Sequence, residues 1–185
     1  MSKYCVDFAS TEGGRDVRRV LFRMLAVVAL GVALVMIGTG KAEAQTGTGA
    51  DIPPAYLYEY QQTGAQYGLD WTILAAIGKV ESNHGGGGGA YGCILGPPTP
   101  YGPAYGPMQF LESSWANSAV DGNGDGLYDS CNYQDAIPSS ANYLIQNGAP
   151  GDYYSAIFAY NHADWYVQQV LAQAREYYQV YVLGY

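Results

Sequence analysis

Glu81 is the residue whose position most strongly indicates chemistry. The segment before it carries apolar residues at helical spacing: Trp71, Leu74, Ile77 and Gly78. Glu81 is the next position on that stripe, so the pattern predicts a helix over 71–82 with a carboxyl on its core-facing side. The C-terminal end of a helix and an apolar environment both favour the protonated acid. Such a carboxyl can act as a general acid, although a glutamate in a frayed last turn that pairs with Lys79 or solvent remains an alternative.

The residues after Glu81 have no helical or strand period. Five consecutive glycines, 85–89, are followed by a stretch rich in Pro, Gly and Tyr that reaches residue 105. Long segments of this kind in a compact domain are usually functional loops, and such loops gather around clefts. We therefore expect residues 85–105 to border a cleft, with a plain flexible insertion as the alternative.

The elements that must position Glu81 are helices. Periodicity and capping residues predict helices over 53–67, 71–82, 111–117, 136–147, 153–160 and 164–178. Asp70 is the expected N-cap of the second helix. The last two helices have a predicted core of Ile157, Val167, Val170, Leu171 and Ala174. The fold class is therefore mainly α, in one domain over 52–179 with a short tail at 180–185.

Three segments, 80–85, 106–110 and 159–161, resemble the lytic murein transglycosylases in residue type, order and spacing. The resemblance covers about residues 52–170. It is closest to the membrane-bound type B members, because 119–137 is similar to a calcium loop of that subgroup. Membership implies a lysozyme-like helical fold with long loops around a glycan cleft. Residues 85–105 depart from the family pattern.

The resemblance also implies roles for individual residues. Glu81 matches the catalytic acid, and Ser82 matches a neighbour that hydrogen-bonds near it. The residues expected to line or support the sugar cleft are Ser82, Met108, Gln109, Tyr160 and Asn161. The implied substrate is a peptidoglycan strand of alternating N-acetylglucosamine and N-acetylmuramic acid.

The remaining acids suggest a mechanism with a single carboxyl. Ordinary glycosidases need two carboxyl groups, but Glu112 lies on an exposed-looking helix and Asp152 and Asp164 are simply explained as N-caps. The 2-acetamido group of muramic acid can supply the nucleophile, and its 6-hydroxyl then closes a 1,6-anhydro ring. Two alternatives stay open: a hydrolytic muramidase on the same scaffold and a non-catalytic wall-binding module.

A second group of oxygen-bearing residues follows the pattern of a calcium loop. The expected ligands are Asp121, Asn123, Asp125, the carbonyl of Leu127, and Asp135. The predicted ion is a structural Ca²⁺, and no cofactor is expected for catalysis. The alternatives are an acidic turn without metal and, for Asp135, the N-cap of the helix at 136–147.

The distribution of charged and apolar residues along the chain predicts an exported protein. Net charge is −8, and only two basic residues, Lys79 and Arg175, follow residue 44. Nucleic-acid binding is excluded as a main function, because there is no cationic surface to meet phosphates. Arginines, an apolar run at 24–37 and small residues before 45 indicate a signal peptide over 1–44, with a linker at 45–51. An uncleaved signal anchor, the only expected membrane contact, is the alternative.

The exported part keeps two cysteines, Cys93 and Cys131. Thiols oxidise outside the cytoplasm, so we expect one disulfide between them. Two free thiols are the alternative.

Overall fold

The computed structural model describes residues 51–86 and 93–185. The predicted signal segment, 1–44, the linker up to residue 50, and residues 87–92 lie outside the described residues. The elements are α1 (Pro54–Tyr67), α2 (Trp71–Ser82), β1 (Ala104–Tyr105), β2 (Phe110–Leu111), α3 (Glu112–Ser118), α4 (Tyr133–Gln146), α5 (Tyr153–Tyr160), α6 (Asp164–Tyr177) and a π-helical segment, Tyr178–Leu183. This confirms the mainly α fold. Over the described ranges, no helix combines the length and apolarity needed to cross a membrane.

Helix α2 is the central element, packed mainly against α1 and α6. Asp70 caps its start, since a side-chain oxygen accepts a hydrogen bond from the Thr72 backbone at 3.0 Å. The side chains at its centre have no contact with solvent, and neither do those that meet them from α4, α5 and α6: Leu74, Ile77, Ile137, Ile157 and Val167. Burial of these apolar side chains fixes α2 in the core, and Glu81 follows in its last turn.

A small antiparallel hairpin precedes α3. Ala104 pairs with Leu111 and Tyr105 with Phe110, and Leu95 forms an isolated bridge to Tyr105. The sequence showed no strand period here because two-residue strands are too short to display one. The turn begins at Gly106, which has φ +75° and packs against the carbonyl of Ser130, so that any side chain would collide with this backbone.

The predicted cap at Asp164 is wrong, and so is the alternative that made Asp135 a cap. Helix α4 begins at Tyr133, and Asn132 caps it by accepting from the Gln134 backbone at 3.0 Å. Asp135 therefore lies inside the first turn. Helix α6 begins at Asp164 itself and has no side-chain cap. The predicted cap at Asp152 is present, with a 3.0 Å bond from the Ser155 backbone.

Three further features bear on the sequence predictions: the burial of Leu171, the end of the last helix, and the disulfide. Leu171 is half-buried, whereas the other predicted core residues of α5 and α6 are buried. The π-helical turn extends the last helix to Leu183, through much of the predicted tail. The Cys93–Cys131 disulfide forms with its Cα atoms 4.8 Å apart, and it ties the segment before β1 to the segment before α4.

Candidate active site

Glu81 lies in the last turn of α2 and its carboxyl faces α6. The Tyr166 hydroxyl donates a hydrogen bond to Oε1 of Glu81 at 2.5 Å. Burial raises the pKa of Glu81 to about 7, although the Tyr166 hydrogen bond acts in the opposite direction. Lys79 does not pair with Glu81, because its ammonium binds Asp51 and, at 2.6 Å, Asn83. The carboxyl is thus shifted toward neutral pH, as suits a group that both gives and takes a proton.

Tyr160, at the end of α5, lies near the acid. Its hydroxyl donates to the Met108 carbonyl at 2.7 Å and lies 3.1 Å from the Ser140 hydroxyl. Burial, with the charge of Glu81 adding to it, raises the pKa of Tyr160 well above its usual value. Tyr160 is therefore a fixed, neutral phenol, whose hydroxyl is already engaged by the protein.

Ser82 and Met108 support the site from behind. The Ser82 hydroxyl donates to the Pro107 carbonyl at 2.6 Å and accepts from the Gly85 backbone at 2.8 Å. The Met108 side chain is fully buried. These contacts join the end of α2 to the turn between the strands, so both residues position neighbours rather than face an open cleft.

Gln109 and Tyr160 share a surface pocket, whose lining residues are Gln109, Phe110, Leu111, Ser114, Tyr143 and Tyr160. Gln109 has a left-handed backbone, φ +51°, which is uncommon for a residue with a side chain. Its amide donates to the Gly106 carbonyl at 2.8 Å and to the Ile94 carbonyl at 3.4 Å. Asn161 follows directly after α5 and is partly exposed. The structure thus places Gln109 and Tyr160 in one pocket, and Asn161 directly follows Tyr160 in the chain.

Sequence analysis missed two residues that contact this site or its helix, Tyr166 and His84. Both are buried, at 1% and 2% exposure. A usable signal was present in α6, where Tyr166, Val170, Ala174 and Tyr177 recur at core spacing. A buried tyrosine needs a partner for its hydroxyl, so two tyrosines on a core stripe indicate a polar group opposite.

The acidic loop is held together by its own side chains. Asp121 accepts from the backbones of Gly124 at 2.8 Å and Gly126 at 2.9 Å, and Asp125 accepts from the Leu127 backbone at 2.8 Å. The donor set contains oxygen only, as Ca²⁺ prefers. Over residues 51–86 and 93–185, however, no three His, Cys, Asp or Glu residues converge closely enough to hold a metal ion. Calcium binding therefore stays a prediction.

Comparisons with known proteins agree with this arrangement. Residues 100–152 match the family model described as the transglycosylase SLT domain. This segment contains Gln109 and the acidic loop, and it excludes Glu81. No curated protein sequence matches the chain significantly.

Two solved structures have a similar fold. They are the Escherichia coli lytic transglycosylase Slt35 in complex with bulgecin A and the same enzyme in complex with calcium. Each has a TM-score of 0.53 and 16% identity over 74% of this chain, which corresponds to 77% and 78% of the respective neighbour. The chain thus has the lysozyme-like fold of a lytic transglycosylase. The matched SLT segment and the shared fold together support the lytic transglycosylase family.

Proposed function

We propose that this chain is a lytic transglycosylase that cleaves the β-1,4 bond between N-acetylmuramic acid and N-acetylglucosamine in peptidoglycan, with Glu81 as its single acid and base. One observation carries the proposal. The Glu81 carboxyl is half-buried and accepts a hydrogen bond from Tyr166, and its desolvation raises its pKa to about 7. The SLT match and the Slt35 fold support the same reaction class.

In the first step Glu81 acts as the acid. Tyr166 donates to Oε1, so the acidic proton resides on Oε2. Glu81 gives that proton to the glycosidic oxygen while the bond to C1 of muramic acid breaks. The carbonyl oxygen of the 2-acetamido group forms a bond to C1 from the opposite face. Because the substrate supplies the nucleophile, no second carboxyl is needed, and the exposed Glu112 has no role in the step.

In the second step Glu81 acts as the base. Its carboxylate, stabilised by the Tyr166 hydroxyl, accepts the proton of the 6-hydroxyl of muramic acid. The oxygen of that hydroxyl attacks C1 and displaces the acetamido oxygen, which closes the 1,6-anhydro ring. The carboxyl returns to its protonated state, and water takes no part. A pKa near the working pH serves both transfers.

The residues around Glu81 suit a sugar chain. We assign Gln109, Tyr160 and Asn161 to sugar binding, because Gln109 and Tyr160 line one surface pocket and Asn161 follows Tyr160. Ser82 supports this region by donating to the Pro107 carbonyl, just before the buried Met108. Peptidoglycan lies outside the cytoplasm, so we extend the proposal to an exported protein whose residues 1–44 are a signal peptide or anchor. From the resemblance of the acidic loop we further propose that the chain belongs to the membrane-bound type B subgroup.

A structural Ca²⁺ is part of the proposal. The residues that would hold it are Asp121, Asn123, Asp125, the carbonyl of Leu127, and Asp135. The ion would neutralise neighbouring carboxylates and contribute nothing to the proton transfers. The support is an all-oxygen donor set in a compact loop, together with a protein of the same fold solved in complex with calcium.

Digestion of purified peptidoglycan followed by mass analysis tests the proposal. Anhydromuramoyl ends, each lighter by one water than a reducing end, are expected from the wild type. Glu81→Gln should give none. Reducing muramic ends would instead indicate a hydrolytic muramidase, and binding without any cleavage would indicate a wall-binding module. Either result contradicts the proposed reaction.

A further inference from the structure

His84 connects three helices from a position just after the acid. Its ring is 2% exposed and lies in the segment that ends α2. Nδ1 is 3.1 Å from the Tyr60 hydroxyl on α1, and Nε2 is 2.8 Å from the Tyr177 hydroxyl on α6. The imidazole therefore bridges α1 and α6 immediately behind the last turn of α2.

Asp51 sets the direction of this hydrogen-bonded chain. Burial opposes its ionisation, but hydrogen bonds from Lys79 and Tyr177 and the Lys79 charge lower the pKa of Asp51. Its carboxylate can only accept, so Tyr177 donates to it, at 3.1 Å. The Tyr177 oxygen then accepts from Nε2–H of His84, and Nδ1 accepts from Tyr60. Each ring nitrogen has one partner when the imidazole is neutral.

The burial of the ring is consistent with that neutral form. Burial lowers the pKa of His84 to about 4, against a smaller upward effect of Asp51 and a further downward effect of Lys79. Tyr56 also contacts the ring, edge-on at 6.3 Å between centroids.

The backbone at this point needs external support. Asn83 and His84 have φ values of +53° and +54°, and Gly85 follows with φ +77°. Left-handed backbone is unfavourable for residues with a side chain and persists where surrounding contacts impose it. The His84 backbone donates to the Gly78 carbonyl at 3.0 Å. This turn ends α2 directly after Ser82, so it fixes where the last turn lies.

We propose that His84 is a positioning residue for Glu81. The chain Tyr60, His84, Tyr177 and Asp51 anchors the end of α2, so that the Glu81 carboxyl stays buried and in reach of Tyr166. Because Asp51 lies just before the N-cap region of α1, the segment that joins the linker to the domain belongs to the same framework. The inference rests on the proposed function for its catalytic consequence only, because the geometry of Glu81 can be measured without turnover.

Variants at Tyr177 and at His84 test the individual hydrogen bonds that run from Tyr60 through His84 and Tyr177 to Asp51. Tyr177→Phe removes the hydroxyl beyond His84 and leaves the imidazole in place. His84→Gln keeps an N–H donor near the position of Nε2, whereas His84→Asn keeps only an acceptor near Nδ1. Tyr153→Phe is the matched control, because the Tyr153 hydroxyl accepts from the Asp70 backbone at 2.7 Å, at the opposite end of α2. All four variants remove hydrogen bonds that secure the same helix.

Two readouts follow, the kinetics on soluble glycan-strand fragments and the ¹³C titration of the Glu81 carboxyl. Tyr177→Phe should lower kcat by about 10- to 100-fold with KM little changed, as loss of alignment does. The pKa of Glu81 should fall from about 7 toward the ordinary 4.5 as water reaches the carboxyl. His84→Asn should show the same changes, His84→Gln should be milder, and Tyr153→Phe should show neither change.

The outcomes distinguish this inference from the proposed function. If the wild type cleaves peptidoglycan but Tyr177→Phe and His84→Asn behave like Tyr153→Phe, His84 is only structural and the inference is overturned. A fall in kcat with an unchanged Glu81 pKa overturns it as well. If the wild type cleaves nothing, the proposed function fails, and the carboxyl titration still decides whether His84 positions Glu81.

Discussion

Two carboxyl groups, the half-buried Glu81 and the fully buried Asp135, differ in the number of donors that meet them. Within residues 51–86 and 93–185, Glu81 accepts one hydrogen bond, from the Tyr166 hydroxyl to Oε1. Asp135 is 0% exposed and accepts three from backbone N–H groups: Gly122 at 2.9 Å and Asn123 at 3.4 Å on Oδ1, and Asp129 at 3.1 Å on Oδ2.

The difference separates a reactive acid from a structural one. Both oxygens of Asp135 hold the loop over 122–129 in place, so any change at this carboxyl disturbs backbone groups. Glu81 leaves Oε2 for a substrate, and its burial with a single donor keeps its pKa about 7. A carboxyl that few protein groups satisfy is the one available for proton transfer, and the predictions below test that contrast.

The largest effect is expected at Glu81. Glu81→Gln retains an acceptor for Tyr166 but has no acidic proton. Peptidoglycan cleavage should therefore fall by about 10²- to 10⁴-fold, the contribution of a positioned acid or base. Glycan binding and the folded state should persist, as measured by a pull-down on insoluble peptidoglycan and by circular dichroism.

Glu112→Gln is the matched control, because Glu112 is exposed at the start of α3. Its cleavage rate should remain close to that of the wild type. Residual activity of Glu81→Gln within a few-fold of the wild type, or an equal loss in both variants, would contradict the assignment of the acid.

Asp135→Asn should mainly lower stability, whereas Glu81→Gln should mainly lower activity. The new amide group carries two N–H donors where the carboxylate accepted from backbone N–H groups. Leaving such buried groups unsatisfied costs about 3 kcal/mol in unfolding free energy. Urea unfolding measures this loss. Asp129→Asn, at an exposed carboxyl with a single 2.9 Å bond from the Cys131 backbone, is the control. Equal losses in both variants would count against Asp135 as the anchor.

The pH dependence of stability separates Glu81 from the neighbouring His84. The pKa of Glu81 is raised from 4.5 to about 7, so the folded state binds more protons in that window and stability falls as pH rises. The pKa of His84 is lowered from 6.5 to about 4, so the unfolded state binds more protons and stability rises with pH. Each effect is worth about 3 kcal/mol at most, and the two oppose each other over much of the range.

Glu81→Gln should expose the effect of His84 alone. Relative to the wild type, this variant should gain stability from pH 5 to pH 8, by about 2 to 3 kcal/mol. Urea unfolding at a series of pH values measures the difference between the two proteins, in which all other carboxylates cancel. A constant difference across that range would show that Glu81 titrates normally.

The positions of the polar side chains could be predicted from the sequence, but their hydrogen-bond partners could not. The position of Glu81 on the stripe of α2 follows from local spacing, and so do most helix boundaries. The partners of the buried polar groups do not, because Tyr166 is 85 residues from Glu81 and Tyr177 is 93 residues from His84. Local pattern offered Asp135 as a possible cap for α4, whereas the folded backbone makes Asn132 the cap and buries Asp135 in the first turn.

Calcium removal tests the exposed part of the acidic loop. Asp121 and Asp125 already accept backbone hydrogen bonds, so the loop can fold without the ion and should gain stability from it by mass action. The gain is about 2.7 kcal/mol at a hundredfold excess over the dissociation constant. A chelator should lower Tm in the wild type and leave Asp125→Ala unchanged, and magnesium should substitute poorly. No calcium-dependent heat or Tm shift would leave the loop an acidic turn without metal.

The smallest effect is expected at Tyr166, the one donor to Glu81 among the described residues. Tyr166→Phe removes one hydrogen bond and should cost about 1 kcal/mol of stability. The Tyr166 hydroxyl favours the charged form of Glu81, so its loss should raise the pKa above about 7 and move the basic limb of the kcat/KM profile to higher pH. The carboxylate of the second step also loses its donor, and kcat should fall about tenfold.

Tyr177→Phe should move the basic limb of the kcat/KM profile in the opposite direction, since it admits water to a carboxyl that keeps its donor. A shift of equal sign in both variants would mean that Tyr166 only fills space and that the one-donor character of Glu81 does not control its proton.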